Sequence, residues 1–456
     1  MRVQVKTQKW PPVDNAGGLS DNFFLNHSTE SERRTAYLKG LFSSKAFLEK
    51  AVAMGLFVLL CAKFYYVLGV TVGPTPAAPQ WMILIRDAIT FGFLSFFGFQ
   101  VRKQFSHLTL FWCLWGFGLA VSLLHLGFGK DLPTWAQHYF RNALVPMLFY
   151  PVGVGLFRSK VRIHLRPVLI AALIVNVIFS YIQLFQWSSP VRPNGLFGDP
   201  IINTMILFWG LAALALMRKR GRYLFVASLV VVPLMQYLGS LTAILSIALG
   251  AVAVLFFVWA PFQKYMRQNL KWVVFLVGLS LIFAGLTSWR AWQVQPQNAD
   301  LVVKKIGKMY DSLLCQEPGC GHRSFRGRVE SNLRPFQLCR DDLAACTWGS
   351  YRSVVYERIE STWASLVVNW GVVFCLLFFA WIFTHWGGRI SGSGFSELDK
   401  DSVLWMFIFA SSVYFSFLNT MIYKYPLNIF FYLSMAFLRV HFPSRFQAHS
   451  EMRRME

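Results

Sequence analysis

Apolar residues in this chain gather into runs of about 20, the length that crosses roughly 30 Å of hydrocarbon. In lipid every backbone N–H and C=O must be paired within the protein, so such runs must be helices, and no alternating barrel-type strand pattern competes. Of the 456 residues, 55% are hydrophobic and 14% charged. The runs fall near 47–70, 82–100, 108–127, 142–157, 167–187, 201–217, 223–238, 240–260, 271–288, 362–384, 402–420 and 424–440. The expected fold class is an all-α polytopic membrane protein with about twelve transmembrane helices. The seventh and eighth runs are separated only by the Gly239-Ser240 region, so the boundary between them is soft.

The net charge of +23 is mostly a statement about topology, because Lys and Arg collect in cytoplasmic loops. One alternating set of loops carries Arg102 and Lys103, then Arg158, Lys160, Arg162 and Arg166, then Arg218, Lys219, Arg220 and Arg222, then Lys264, Arg267 and Lys271. The C-terminal tail adds Arg445, Arg453 and Arg454. The opposite loops are poor in charge or long, which puts 71–81, 128–141, 187–200, 289–361 and 420–424 outside and both termini in the cytoplasm. The 385–401 loop is the weakest member, with Arg389 and Lys400 offset by Glu397, Asp399 and Asp401. The polar residues 1–45 lack the early apolar core of a cleavable signal peptide and read as a cytoplasmic tail. The expected division is therefore 1–45 N-terminal tail, 46–288 membrane helices 1–9, 289–361 outer loop, 362–440 membrane helices 10–12 and 441–456 C-terminal tail. Because the cations are scattered between spans rather than gathered on one soluble face, nucleic acid is not an expected partner; membrane lipid is.

The 289–361 segment is the polar exception. It holds Cys315, Cys320, Cys339 and Cys346, four of the seven cysteines, while Cys61, Cys113 and Cys375 lie in spans. Disulfides persist outside the cytoplasm, and four cysteines allow three connectivities; the local pairs Cys315–Cys320 and Cys339–Cys346 are among the options. The C-x4-C and C-x6-C spacings, with His322 as the nearby imidazole, make a poor zinc site, and no metal or cofactor is expected. The same loop is crowded with Arg323, Arg326, Arg328, Arg334, Arg340, Arg352 and Arg358. Guanidinium forks beside a membrane surface suit a diphosphate, whose oxygens they bind in pairs. Arg192 opens the turn Arg192-Pro193-Asn194-Gly195-Leu196-Phe197-Gly198-Asp199-Pro200. A cation held there, at the mouth of the bundle, is a ligand candidate, or else a partner for Asp199. Glu360 enters the next span at the water–membrane boundary, where partial desolvation would raise its pKa and let it accept a proton from a sugar hydroxyl; a salt bridge to a loop arginine is its simpler role, and Glu357 is a weaker alternative. Trp187, Trp348, Tyr351 and Trp363 could stack on sugar faces. Signatures of soluble hydrolases, P-loop proteins, zinc proteases and dinucleotide-binding folds are absent from the sequence.

Together these residues resemble the O-antigen polymerase and O-antigen ligase superfamily of bacterial envelope enzymes. The likeness covers about residues 47–440, with a large loop ahead of the last three spans. A motif of the form R-x-x-G-x-F-x-x-P is matched by Arg192, Gly195, Phe197 and Pro200. The ligase motif H-[NSQ]-x9-G keeps its spacing in Glu360, Ser361 and Gly371, but Glu replaces His, which leans toward the polymerase branch. The family's Ser-Arg pair near the eighth span is missing; Gly239-Ser240-Leu241-Thr242 stands there. The resemblance implies a metal-independent glycosyltransferase of the GT-C type, in the bacterial inner membrane with its loop in the periplasm. Its donor and acceptor would both be oligosaccharides on undecaprenyl diphosphate, polymerised into O-antigen, capsule or exopolysaccharide. Arg192 and Arg328, with Arg326, Arg352 and Arg358, would hold the departing diphosphate, and Glu360 would deprotonate the acceptor. A chain-length regulator is an open partner. The alternatives are an O-antigen ligase or protein O-oligosaccharyltransferase, and, in another class, a lipid-linked oligosaccharide flippase or other transporter.

Overall fold

A computed structural model describes residues 45–61, 80–186, 199–217, 227, 230, 231, 234, 246–251, 323–350, 359, 361–386 and 400–442. The chain divides into two compact units, Met1–Leu48 and Glu49–Glu456. Of the first, only the opening turn of a helix is described; the architecture belongs to the second.

Among the described residues every regular element is helical. In chain order they are α1 (Lys45–Cys61), α2 (Gln80–Val101), α3 (Thr109–Gly127), α4 (Leu132–Arg158), α5 (Leu165–Gln186), α6 (Pro200–Ala215), α7 (Arg323–Asp341), α8 (Leu343–Trp348), α9 (Thr362–Trp386), α10 (Lys400–Leu418) and α11 (Leu427–His441). Short 3₁₀ turns occupy Arg102–His107 and Met421–Tyr423. Five stretches are long and apolar enough to cross a membrane: Ile83–Phe105, Thr109–Gly127, Leu132–Arg158, Leu165–Ile182 and Thr362–His385. The chain is thus a helical, membrane-embedded protein. Most of the apolar runs near 223–238 and 240–260, and all of 271–288, lie outside the described residues.

Small residues let these helices approach closely, the packing that membrane helices rely on. A side chain at Gly210 of α6 would strike Leu173 of α5, and one at Gly153 of α4 would strike Ala436 of α11. Gly118 of α3 admits Phe374 of α9 in the same way. Polar groups in this interior find one another: Asn176 Nδ2 donates to Asn203 Oδ1, and Asn203 Nδ2 to Ser180 Oγ at 3.1 Å. Large apolar side chains such as Met54, Leu84, Phe99, Leu110, Ile174 and Leu376 point outward. Such a belt is unfavourable in water and suits hydrocarbon.

Helix α4 departs from the sequence expectation. The 128–141 segment reads as an outer loop, yet the chain is helical from Leu132, and Trp135–Leu144 forms a π-helical stretch. Its polar residues resemble those of a loop, but Tyr139 and Arg141 bond to His125 and Asp87 within the protein. Pro146 follows directly and supplies no N–H, so the local α ladder is already incomplete there.

The element ends fall into two groups. At the basic-loop end, Arg166 holds Asp401 with two bonds of 2.6 and 3.3 Å, and Arg162 lies 3.6 Å from the same carboxylate. Glu49 of α1 accepts from the Arg162 N–H at 3.0 Å and sits 3.8 Å from His164. The 385–401 loop, the weakest in the charge pattern, therefore starts α10 at the same end as the arginine-rich 158–166 loop. The opposite end, where α7 and α8 pack, is the hairpin end.

Candidate functional site

The site is built around a hairpin. Helix α7 stops at Asp341, and Asp342 caps α8 by accepting from the Ala345 N–H at 2.9 Å. Cys339 and Cys346 are joined in a disulfide that ties the two helices together. Cys315 and Cys320 lie outside the described residues.

The chain leaving α8 is inserted into span α9. Gly349 has φ +82°, and a side chain there would lie 2.7 Å from the Asn369 carbonyl carbon. Gly371 has φ +86° and ψ 160°, which breaks α9, and a side chain there would collide with the Thr347 carbonyl. Only glycine takes both conformations freely at such close range. At the break, the Val368 carbonyl accepts from the Ser350 N–H at 2.6 Å. Irregular backbone at membrane depth is tolerated where protein satisfies it, and here α3 and the turn after it supply the groups. His125 Nε2 donates to the Trp348 carbonyl at 2.8 Å, which leaves Nδ1 to accept from the Tyr139 hydroxyl at 3.0 Å. Lys130, 3% exposed, reaches the Ser350 carbonyl at 3.4 Å. Asp131 starts α4 by accepting from Thr134, and those hydrogen bonds, the hydroxyl's first and the N–H's second, hold its exposed carboxyl below the usual carboxylate range.

Three segments singled out by sequence are linked stepwise to this hairpin. Ser361 Oγ donates to Asn332 Oδ1 of α7 at 2.5 Å, and Ile359 packs with Leu338, Ala364 and Val368. Thr362 Oγ1 donates to the Asn419 carbonyl at 2.8 Å and accepts from the Met421 N–H at 2.7 Å. Just past that turn, Lys424 pairs with Asp199, which also caps α6 by accepting from Ile201 N–H at 2.8 Å, with Pro200 in the first turn. The end of the Arg192–Pro200 motif, the middle of α7 and the start of α9 are thereby linked through described bonds.

Not every candidate residue is described. Glu360 lies between the described Ile359 and Ser361 but is itself outside the described residues, as are Arg192, Arg352, Arg358 and Glu357. Arg326 and Arg328 belong to the first turns of α7, where the helix is described and their side chains are not. Arg328 precedes Asn332 by one helical turn, about 6 Å of rise. Trp363 meets Phe336 at a ring distance of 5.9 Å, and Trp348 meets Phe117 at 6.3 Å; Trp187 and Tyr351 lie outside the described residues. Among the described residues no group of three His, Cys, Asp or Glu is placed to hold a metal ion.

Sequence reasoning passed over a second polar cluster at this end. Arg86 binds Asp87 through Nε at 3.0 Å and Nη2 at 2.6 Å, and Arg141 of the π-helical stretch reaches the other carboxylate oxygen at 3.5 Å. The Arg86 guanidinium also stacks over the Tyr425 ring at 5.2 Å. The cleft between them, lined also by Thr90, Asn142 and Asn428, encloses about 10 Å³, room for about one water. The signal was visible: Arg86-Asp87 is an adjacent charged pair inside an apolar run, where ionisable groups are expensive and mark function. His125 and Tyr139 carried no such mark, because a single histidine in an apolar run reads as packing. No family model, curated protein or solved structure matches this chain.

Proposed function

We propose that this chain is a membrane glycosyltransferase that polymerises oligosaccharide repeats carried on undecaprenyl diphosphate, working at the hairpin end on the periplasmic face of a bacterial inner membrane. The observation that carries this reading is the convergence of the Arg192–Pro200 motif, the arginine-bearing helix α7 and the Glu360–Gly371 segment through the Lys424–Asp199, Met421–Thr362 and Ser361–Asn332 contacts. A base and several guanidinium groups carried on segments linked in this way would suit a substrate whose diphosphate sits in the headgroup layer.

In this mechanism the acceptor hydroxyl attacks the anomeric carbon of the donor glycan as its proton passes to Glu360. The bond from that carbon to the diphosphate oxygen breaks, and Arg192 and Arg328, with Arg326, Arg352 and Arg358, stabilise the charge that grows on the leaving diphosphate. Gly371 has a structural part, permitting the break in α9 that receives the hairpin. The test is chain elongation in a deletion strain at matched membrane expression. Glu360→Gln is expected to leave single repeats where the wild type makes a ladder, a loss of about 10²-fold or more. A normal ladder returns Glu360 to salt bridging.

A transporter of lipid-linked oligosaccharide is the second reading, favoured by the broken helix α9 and the Arg86–Asp87–Arg141 cluster. Translocation of lipid-linked repeats without elongation would select it.

A further inference from the structure

The Arg86–Asp87–Arg141 cleft holds more donors than its one carboxylate uses. Arg86 is 8% exposed and fixed on two sides. Its Nε and Nη2 both donate to Asp87 Oδ1, at 3.0 and 2.6 Å, and its face lies over the Tyr425 ring. The Tyr425 hydroxyl donates to the Leu59 carbonyl at 2.9 Å, outside the cleft. Nη1 is the edge of Arg86 that remains, and it makes no hydrogen bond among the described residues. The Asn142 amide lines the same cleft and has no partner among them either. A buried guanidinium N–H left unpaired is costly, and an unmatched donor in so packed a place points to a bound water or ion.

Size and charge narrow the occupant. The cleft encloses about 10 Å³, space for one water-sized particle, so a phosphate or carboxylate group cannot enter whole. The charged groups facing it are two guanidinium groups and one carboxylate. Both carboxylate oxygens are turned to arginine, Oδ1 to Arg86 and Oδ2 to Arg141 at 3.5 Å. The rest of the wall includes Phe91, Val145, Pro146 and Ile429, and apolar surroundings strengthen the field that the arginines set up. We propose that the cleft is a halide site, in which one chloride ion accepts from Arg86 Nη1 and from the Asn142 amide, with the Arg141 guanidinium beside it. The ion acts as a strut. It joins α2 to the π-helical stretch of α4, where Arg141 and Asn142 are consecutive. The ring of Tyr425 under Arg86 carries the same support to the turn ahead of α11. The site stands apart from the reaction argued above, whichever reading of that reaction holds.

The test uses the full-length protein in a neutral detergent, exchanged into sodium gluconate. Chloride or bromide then replaces gluconate at constant ionic strength. The melting temperature is expected to rise by several degrees and to saturate, as it does for a ligand that binds only the folded state. Asn142→Asp sets a fixed carboxylate beside Arg86. It should melt in gluconate as the wild type does in chloride, and its halide response should vanish. Asp401→Asn, at the opposite end of the bundle, should keep the full response. Crystals soaked in bromide should show an anomalous peak within hydrogen-bonding reach of Arg86 Nη1. Equal melting temperatures in gluconate and chloride overturn the proposal and leave a water in the cleft. A full halide response in Asn142→Asp places the ion elsewhere and overturns it too. Should that variant fail to fold, the bromide peak decides, and its absence from the cleft is the refuting result. If phosphatidylglycerol stabilises the wild type in gluconate and abolishes its halide response, a lipid phosphate oxygen fills the cleft and the halide site falls.

Discussion

The two ends of the bundle satisfy their polar groups by different means. At the basic-loop end most of the described contacts join side chain to side chain, the Arg162 N–H on Glu49 being an exception. Arg166 and Arg162 share Asp401, Glu49 faces His164, and farther in Arg439 donates to the Tyr150 hydroxyl, which is bonded to His385 Nε2 at 2.7 Å. These contacts hold helices in place. At the hairpin end side-chain pairs such as Lys424–Asp199 and Ser361–Asn332 are joined by side chains that bind backbone. His125, Lys130 and Thr362 hold carbonyls of Trp348, Ser350 and Asn419, and two glycines with positive φ let one main chain enter another. The first arrangement closes a surface. The second keeps an irregular segment at membrane depth, which is useful only if that segment meets something.

The sharpest way to break this contrast is at Gly371. Gly371→Ala combines an unfavourable backbone conformation with a collision on Thr347, so it should cost about 3 kcal/mol or more. Thermal unfolding of the purified protein should show a large drop, and a variant as stable as wild type would mean that α9 can run unbroken. Next comes the disulfide. Cys339 and Cys346 are seven residues apart, and closing so short a loop is worth about 2 kcal/mol. Cys339→Ser with Cys346→Ser should therefore loosen the hairpin, read as faster amide exchange in α8, and leave exchange near Asp401 unchanged. A paired comparison follows. His125→Ala strands a buried carbonyl and should cost about 1–3 kcal/mol, whereas Asp401→Ala removes a partly exposed ion pair and should cost under about 1 kcal/mol. Equal losses would erase the distinction between the ends. The smallest effect is at Asp131. Its pKa is lowered on folding, so its stabilising cap is complete above the ordinary carboxylate range and fades as pH falls through the lowered value. The difference in melting temperature between wild type and Asp131→Asn should shrink in that acidic window and nowhere else.

What could be read from sequence tracks how the residues are satisfied. The apolar run 82–100 coincides with α2, 167–187 with α5, and 402–420 with α10, because lipid and core packing set the extent of those helices. The loop ahead of the last three apolar runs stands out as a polar block, and its cysteines stand out with it. Three features stayed hidden. The helix over 132–141 is polar because His125 and Asp87 bond to Tyr139 and Arg141, and no period count reveals a partner on another span. The break at Gly371 lies between Trp370 and Val372 in an apolar run with no proline to mark it, so only the approach of Thr347 explains it. Lys424, in the short 420–424 segment, had no visible partner until the fold brought it to Asp199.

The π-helical stretch in α4 has a bearing on the angular phase of that helix. A single residue turns an α-helix by about 100°. A π stretch accommodates extra residues in its turns, so it offsets the azimuth of one half of a helix against the other. On the near side of Leu144, Tyr139 and Arg141 look toward His125 and Asp87; on the far side, Tyr150 and Gly153 look toward His385, Ala436 and Leu433. Within one span, the stretch works as a phase shifter. It lets a continuous rod serve two neighbourhoods whose preferred bearings differ, and a one-residue deletion there would swing the hairpin-facing half away while leaving the packed half where it is.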